Sequence, residues 1–312
     1  MIPGDIASRI AEKYAHALAT GALSLTETVA QRVTAPHSKI PCVVSFAPSL
    51  ALKPERPKTN GPPKPRPDPF ENPSDDLTVL PDLNGDGKYM LLLNKFPIIP
   101  EHSLIVTREY RLQTEALNAE DLTTAFNVIS QLDSTSGPRH MAFYNCGKAS
   151  GSSQDHKHLQ LFKLPTGFVP FQETQLHEGT GAFTTAFAHF TFPVDENMTG
   201  ERLVQIYVDL LGKARGATTS RDNPNSVPSH NVLLTSTFMC VVPRSTSKTS
   251  VSDSHGESHQ LGINATGYLG LLLAKSRETF DALCNEPQLI DDALLQCAFR
   301  ECWFPSLSSL YT

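Results

Sequence analysis

Residues 140–162 constrain this chain more than any other stretch. The run His140-Met-Ala-Phe-Tyr-Asn145 leads through Cys146 and Gly147 into a small polar segment, Lys148-Ala-Ser-Gly-Ser-Ser-Gln-Asp155, and then into His156-Lys-His-Leu-Gln-Leu-Phe162. Two strands flanking a glycine- and serine-rich loop are expected. Successive strand side chains point to opposite faces, so His156, His158 and Gln160 share one face. Two imidazoles and a carboxamide below such a loop suit an anionic ligand such as a phosphate. One imidazole can attack phosphorus while the other groups hold and orient it.

The doublet alone is weak, because 11 histidines in 312 residues yield an H-x-H by chance roughly 0.4 times. Zinc is the second reading, but it needs a third ligand and usually a nearby acidic or histidine partner. Glutamine is a poor zinc ligand, and residues 161–170 contain no Asp or Glu. The residues by themselves leave phosphate chemistry, a metal site and structural histidines open.

Net charge is −6, so no basic field suits nucleic acid. The apolar runs are too short for a bilayer span, and Met1-Ile-Pro-Gly-Asp5 lacks a secretory pattern. Cysteines 42, 146, 240, 284, 297 and 302 form no C-x-x-C, so reduced thiols are expected, with Cys146 a small buried strand residue.

Apolar spacing predicts one or two helices within 5–34, and residues 40–46 read as a strand. Residues 54–76 are rich in proline and charge and read as an extended, mobile loop. Residues 89–93 and 103–107 are strand-like. Asn118 caps a helix carrying Leu122, Phe126, Ile129 and Leu132. A helix follows at 202–211, a polar loop at 216–229, and a hairpin pairs 232–235 with 239–242. Residues 245–258 read as a polar loop, with helices at 267–284 and 288–299. Hairpins and separate helices imply an α+β fold with an antiparallel sheet flanked by helices.

Two other motifs have plainer readings. Asp82-Leu-Asn-Gly-Asp-Gly87 opens like a calcium loop, but Leu93 stands where a bidentate Glu is needed, so a tight turn is expected. His255-Gly-Glu-Ser-His259 lacks the order of a zinc helix and reads as solvated loop.

Gly151-Ser-Ser-Gln-Asp-His-Lys-His-Leu-Gln160 resembles the active-site segment of the diadenosine tetraphosphate phosphorylases, also called ATP adenylyltransferases. These belong to the histidine-triad superfamily, in the branch where Gln replaces the last histidine, as in galactose-1-phosphate uridylyltransferase. The likeness extends to Leu93-Asn-Lys-Phe-Pro-Ile-Ile-Pro-Glu-His102 and its continuation to Tyr110, to Phe143–Gly147, to 230–244 and to Leu261–Gly270. It covers roughly residues 40–300 and implies a histidine-triad-like fold. The implied division is an N-terminal domain over 1–200 and a C-terminal domain over 201–312.

The resemblance implies phosphorolysis of diadenosine tetraphosphate to ADP and ATP, and the reverse reaction. The alternatives are a dinucleoside polyphosphate hydrolase and an adenylyl sulfate adenylyltransferase. His158 would be the nucleophile. His156 would bond main-chain groups or a neighbouring imidazole, His102 in the first place, and fix the His158 tautomer. Gln160 would hold a phosphoryl oxygen. Gly151, Ser152, Ser153 and Gln154 would cradle phosphates, Asn94 and Lys95 would contact the nucleotide, and Asn145 would bond ribose or phosphate. Lys53 and Lys275 would reach the polyphosphate, and Asn264, Ala265 and Thr266 would complete the site. Leu271 stands where the family often has methionine, a change that bears on base packing. The resemblance implies small-molecule partners only, no obligate oligomer, no tightly bound cofactor, and Mg²⁺ only with the nucleotide. The implied compartment is the cytoplasm, with the nucleus as the alternative.

Overall fold

The computed structural model describes residues 2–48, 67–134, 139–178, 185–218 and 227–300. An eight-stranded sheet runs through the middle, antiparallel at every pairing. Its strands are β3 (Thr78–Leu80), β4 (Tyr89–Leu93), β5 (Ser103–Thr107), β6 (His140–Cys146), β7 (His158–Lys163), β8 (Phe190–Pro193), β9 (His230–Leu234) and β10 (Phe238–Pro243). They stand side by side in the order β3-β4-β5-β7-β6-β9-β10-β8. The expected fold class is therefore observed.

Alternation along the strands splits the apolar residues between two faces. Leu91, Ile105, Leu159, Leu161, Ala142 and Tyr144 join one core with α1 (Ile6–Ala19), α2 (Ala119–Asp133) and α4 (Gly200–Ala217). The capping box expected at Asn118 is present, its side chain accepting from Asp121 N while the Asp121 carboxylate accepts from Asn118 N. Such a cap is worth about 1 kcal/mol.

On the other face, register aligns one row across six strands: Leu92, Leu104, Gln160, Phe143, Leu233 and Cys240. The Phe143 half of this row is covered by a second layer drawn from both the N-terminal and the C-terminal parts of the chain. That layer includes a small sheet of β1 (Val29–Thr34), β2 (Pro41–Phe46) and β13 (Leu271–Ala274), α3 (Phe171–Glu178), α5 (Ala265–Leu269), α6 (Arg277–Asn285) and α7 (Gln288–Cys297). The hairpin of β11 (Lys248–Ser252) and β12 (Ser258–Gly262) packs beside α7. Leu92 and Leu104 instead form a separate cluster with Phe70, Met90 and Val106.

Several expectations need correction. Residues 29–34 are an edge strand, almost wholly exposed, paired with β2. The stretch 245–258 contains β11 and leads into β12, whose inward positions are only Thr249, Val251, His259 and Leu261. The helix expected over 267–284 is broken. Gly270 has φ +101, and a Cβ there would lie 2.5 Å from Pro41 O, so chain reversal and a close approach both demand glycine. Leu271–Ala274 then pairs in parallel with β2, and Ser276 caps a new helix. Of the loop expected to be mobile, residues 67–76 are anchored by Asp68, Phe70 and a Ser74-capped turn, while 54–66 lie outside the described residues.

The Asp82 motif is a turn whose carboxylate accepts from Gly85 N and Gly87 N. His255 is exposed in the hairpin turn, whereas His259 is inward and paired with Asp253. Cys146 is buried, its thiol pushed up to about 12 by desolvation. No helix among the described residues is long and apolar enough to cross a membrane.

Candidate active site

His158 opens β7. Its backbone N–H donates to Gln113 Oε1 (2.8 Å), and its ring Nδ1 lies 2.8 Å from the carbonyl oxygen of His156. A carbonyl only accepts, so Nδ1 carries the proton. In the neutral ring the lone pair then sits on Nε2. Burial, which penalises the cation, pushes the His158 pKa down to about 4, so the ring is neutral near pH 7. That is the state a nucleophilic imidazole needs.

Lys157 points to the opposite face, as strand alternation requires. It is buried, its Nζ 2.6 Å from Asp121 Oδ2 and 2.8 Å from Ala116 O. Asp121 also accepts from Tyr89 OH at 2.7 Å. The residue between the two histidines is thus pinned into the helical side of the sheet. Breaking a buried pair of this kind by removing one partner costs on the order of 3–5 kcal/mol.

His156 lies just before the strand, bridged to Leu112. Its Nδ1 is 2.6 Å from Asp68 Oδ2 and its Nε2 is 2.8 Å from Thr107 O. The expected imidazole neighbour is therefore absent from its contacts, and its carbonyl, not its ring, sets the His158 tautomer. His102 instead meets Asn94, with Nδ2 to Nδ1 at 3.3 Å. Among the described residues its Nε2 has no partner within hydrogen-bonding distance, although Gln160 is near enough to affect its proton affinity. Burial pushes His102 down to about 4 as well.

A cavity of about 390 Å³ opens beside these groups. Pro69, Phe70, Leu77, Leu92, Phe96 and Leu104 give it apolar walls, while Asn94, Lys95, Ser153, Gln154, His158 and Gln160 supply polar groups. Apolar walls with a few convergent polar groups are the usual make-up of a small-molecule site.

A profile of the Ap4A phosphorylase N-terminal domain matches residues 1–174, and one of the ATP adenylyltransferase C-terminal domain matches 184–300. The chain belongs to the Ap4A phosphorylase family. It is 41% identical to diadenosine 5',5'''-P1,P4-tetraphosphate phosphorylase 2 of Saccharomyces cerevisiae, covering 96% of each chain. Crystal structures of yeast Ap4A phosphorylase Apa2 superpose closely. The complex with Ap4A is matched at TM-score 0.84 and 38% identity over 97% of this chain and all of that one. The complex with AMP is matched at 0.83 and 39% over 98% of this chain and all of that one.

Beside this Ap4A phosphorylase cavity, other residues singled out in the sequence take different places. Asn145 Oδ1 is occupied by Asn231 Nδ2 (2.8 Å) and Ala265 N (3.2 Å), joining β6 to β9 and α5. Gly151 has φ +92 and packs so closely on Asn264 that a Cβ would come within 2.9 Å of the Asn264 Cβ. Asn264 caps α5, accepting from Thr266 N and Oγ1. Gly151, Ser152, Asn145, Asn264, Ala265 and Thr266 stand outside the cavity walls, and the Gly151–Asn264 and Asn145–Ala265 contacts join the serine-rich loop and β6 to the C-terminal part. Leu271 is half-buried at the start of β13, and Lys275 is exposed just past its end. Lys53 lies outside the described residues.

Three residues that position this Ap4A phosphorylase site were not singled out in the sequence. Gln113 is buried and donates through Nε2 to Asn145 O and His158 O, besides accepting from His158 N. It therefore bridges β6 and β7 where they part around the loop. Asp68 and Thr107 hold the His156 ring. The prolines flanking Asp68 were the available signal, since X-Pro steps restrict the backbone. Gln113 carried none. Among the described residues no group of three or more His, Cys, Asp or Glu could hold a metal ion.

Proposed function

We propose that this protein catalyses phosphorolysis of diadenosine 5',5'''-P1,P4-tetraphosphate by inorganic phosphate, giving ADP and ATP, and the reverse synthesis from ATP and ADP. Family membership and the match to an Apa2 structure in complex with Ap4A support the substrate class. The observation that carries the chemistry is that His158 lines the cavity with its Nδ1–H bonded to His156 O, and burial favours the neutral ring.

In this reading His158 Nε2 attacks an α-phosphorus. The N–P bond forms as the bridging P–O bond breaks, and ATP leaves. A phosphate oxygen then attacks the adenylyl-histidine, the N–P bond breaks, and ADP forms. Two displacements at one phosphorus make the kinetics ping-pong. A neutral imidazole avoids the repulsion that an anionic nucleophile meets at a charged phosphate.

Gln160 presents a neutral carboxamide to a phosphoryl oxygen at any pH. Both the leaving group and the acceptor are phosphates, which need no proton to leave, so a glutamine suffices where a hydrolase would gain from histidine. Lys95 and Lys275 supply cationic charge to the polyphosphate, with Lys53 from the segment outside the described residues. The apolar walls take an adenine ring. Mg²⁺ travels with the nucleotide, no tightly bound cofactor is needed, and the reaction belongs to the cytoplasm.

The test is product identity. With Ap4A and phosphate, ADP and ATP should appear in equal amounts. AMP and ATP in the presence of saturating phosphate would identify a hydrolase instead. Turnover of adenylyl sulfate far above that of Ap4A would reassign the donor.

A further inference from the structure

His156 stands two residues before the nucleophile, yet both its ring nitrogens are already engaged. Nδ1 lies 2.6 Å from Asp68 Oδ2, and Nε2 lies 2.8 Å from Thr107 O and 3.1 Å from Thr107 Oγ1. The ring is buried, so in this arrangement it neither attacks phosphorus nor meets a leaving group. Its main chain does bear on the reaction, because His156 O accepts the Nδ1–H of His158.

The peptide carrying that carbonyl is held from both sides of the sheet. On the helical side Lys157 is fixed to Asp121, which lies within α2 and its capping box. On the cavity side the hold comes from Asp68, in Pro67-Asp68-Pro69. Two flanking prolines limit the conformations of this arm. Asp68 Oδ1 fixes it further by accepting from Phe70 N at 3.0 Å, leaving Oδ2 for the imidazole. Phe70 then packs against both histidines, its ring centroid 5.7 Å from that of His156 and 5.2 Å from that of His158.

We propose that Asp68 is a positioning residue for adenylyl transfer: by holding the His156 ring it fixes the carbonyl that keeps His158 protonated on Nδ1 and ready to attack through Nε2. Asp68 itself is not among the residues that line the cavity. Its effect passes through one ring and one peptide. Because a misplacement of about 1 Å can cost on the order of a hundredfold in rate, a clamp of this kind governs kcat. Phe70, on the same arm, is a cavity wall and governs KM. This inference rests on the reading of His158 as the nucleophile.

The experiment compares full-length wild type, Asp68→Asn, Asp68→Glu and His158→Ala. Ap4A alone is used for the first turnover, and Ap4A with phosphate for steady state. Asp68→Asn keeps the shape and an acceptor but loses the charge. It should slow first-turnover adenylylation and kcat by roughly ten- to a hundredfold, with KM within about threefold and a cooperative melt. Asp68→Glu, which restores the carboxylate one methylene further out, should recover part of the loss. It also carries the comparison if Asp68→Asn fails to fold. Ring ¹⁵N shifts should report His158 protonated on Nδ1 in the wild type and a mixture of tautomers in Asp68→Asn. A kcat within twofold of wild type, or a loss confined to KM, would overturn the positioning role. If His158→Ala still turns over, the nucleophile reading itself fails. If His158→Ala is inactive while Asp68→Asn behaves as wild type, only the inference about Asp68 fails.

Discussion

The two halves of one sheet face do different work. Around Phe143, Leu233 and Cys240 the face is sealed by the small sheet and the C-terminal helices, and its polar side chains Asn145, Asn231 and Arg244 are buried and hydrogen-bonded to one another. Around Leu92 and Leu104 the same row is covered, among the described residues, by the Phe70 arm, and a cavity remains. Gln160 sits in the row between them, paired with Leu104 on one side and Phe143 on the other. A polar side chain left without a hydrogen-bond partner would be a costly fault in the sealed half. At the boundary it faces the cavity instead. The proposed chemistry thus falls at the boundary, where the cavity meets a strand whose other neighbour is sealed.

The largest effect expected concerns the boundary strand. His158→Ala should lower turnover by at least about a thousandfold, roughly 4 kcal/mol of transition-state stabilisation, while nucleotide binding survives. Retention of even a tenth of wild-type turnover would remove His158 from the covalent step.

The comparison of halves predicts a division between stability and affinity. Phe238 is fully buried in the sealed half, so Phe238→Ala should cost about 3–5 kcal/mol of stability and leave KM nearly unchanged. Leu104 is at the cavity, so Leu104→Ala should cost about 2 kcal/mol and raise KM. Denaturant melts and steady-state kinetics on the two variants check this. The reverse pattern would break the comparison.

Acid should act on both halves. His102, His158, His189 and His230 are each pushed down to about 4 by burial. The unfolded chain takes up these protons as pH falls from about 6.5, whereas the folded chain resists until about 4. Stability is thus flat above pH 6.5 and falls below it, by about 1.4 kcal/mol per pH unit for each histidine. Thermal melts from pH 7.5 to 4.5 should show Tm declining below 6.5. A constant Tm over that range would contradict the burial of these rings. While the fold persists, kcat should not decline with an ordinary histidine midpoint near 6.5.

The smallest effect lies at Gln160. Gln160→Ala should cost one hydrogen bond to a charged oxygen, roughly 1.5–3 kcal/mol in kcat/KM. Gln160→His should divert part of the product from ADP to AMP. An unchanged product ratio would mean that the glutamine does not discriminate phosphate from water.

Much of this was legible in the sequence where local pattern and burial agree. The strands around the serine-rich loop, the β9–β10 hairpin and the Asn118 cap follow from alternation, apolar runs and capping chemistry. Strand β1 was not legible, because an exposed edge strand carries no alternation. β11 and β12 bury too few apolar side chains to announce themselves. At Gly270, a contact with Pro41 more than two hundred residues away decides what a local helical pattern cannot. The site divides in the same way. His156, His158 and Gln160 declare themselves by spacing. Asp68 and Gln113 act through contacts 88 and 45 residues away in the chain. The tautomer of His158 depends on a main-chain carbonyl, which no residue type reveals.

The proposed reaction turns on a covalent bond between His158 and an adenylyl group. The most direct measurement is to mix the protein with Ap4A labelled at the α-phosphates, withhold phosphate, quench in base, and map the label by peptide mass spectrometry. One adenylyl group is expected on the peptide containing His158, stable in base and labile in acid, and discharged to ADP when phosphate is added before the quench. Label on another residue, or full turnover with no protein-bound adenylyl group at any time, would contradict the proposed reaction.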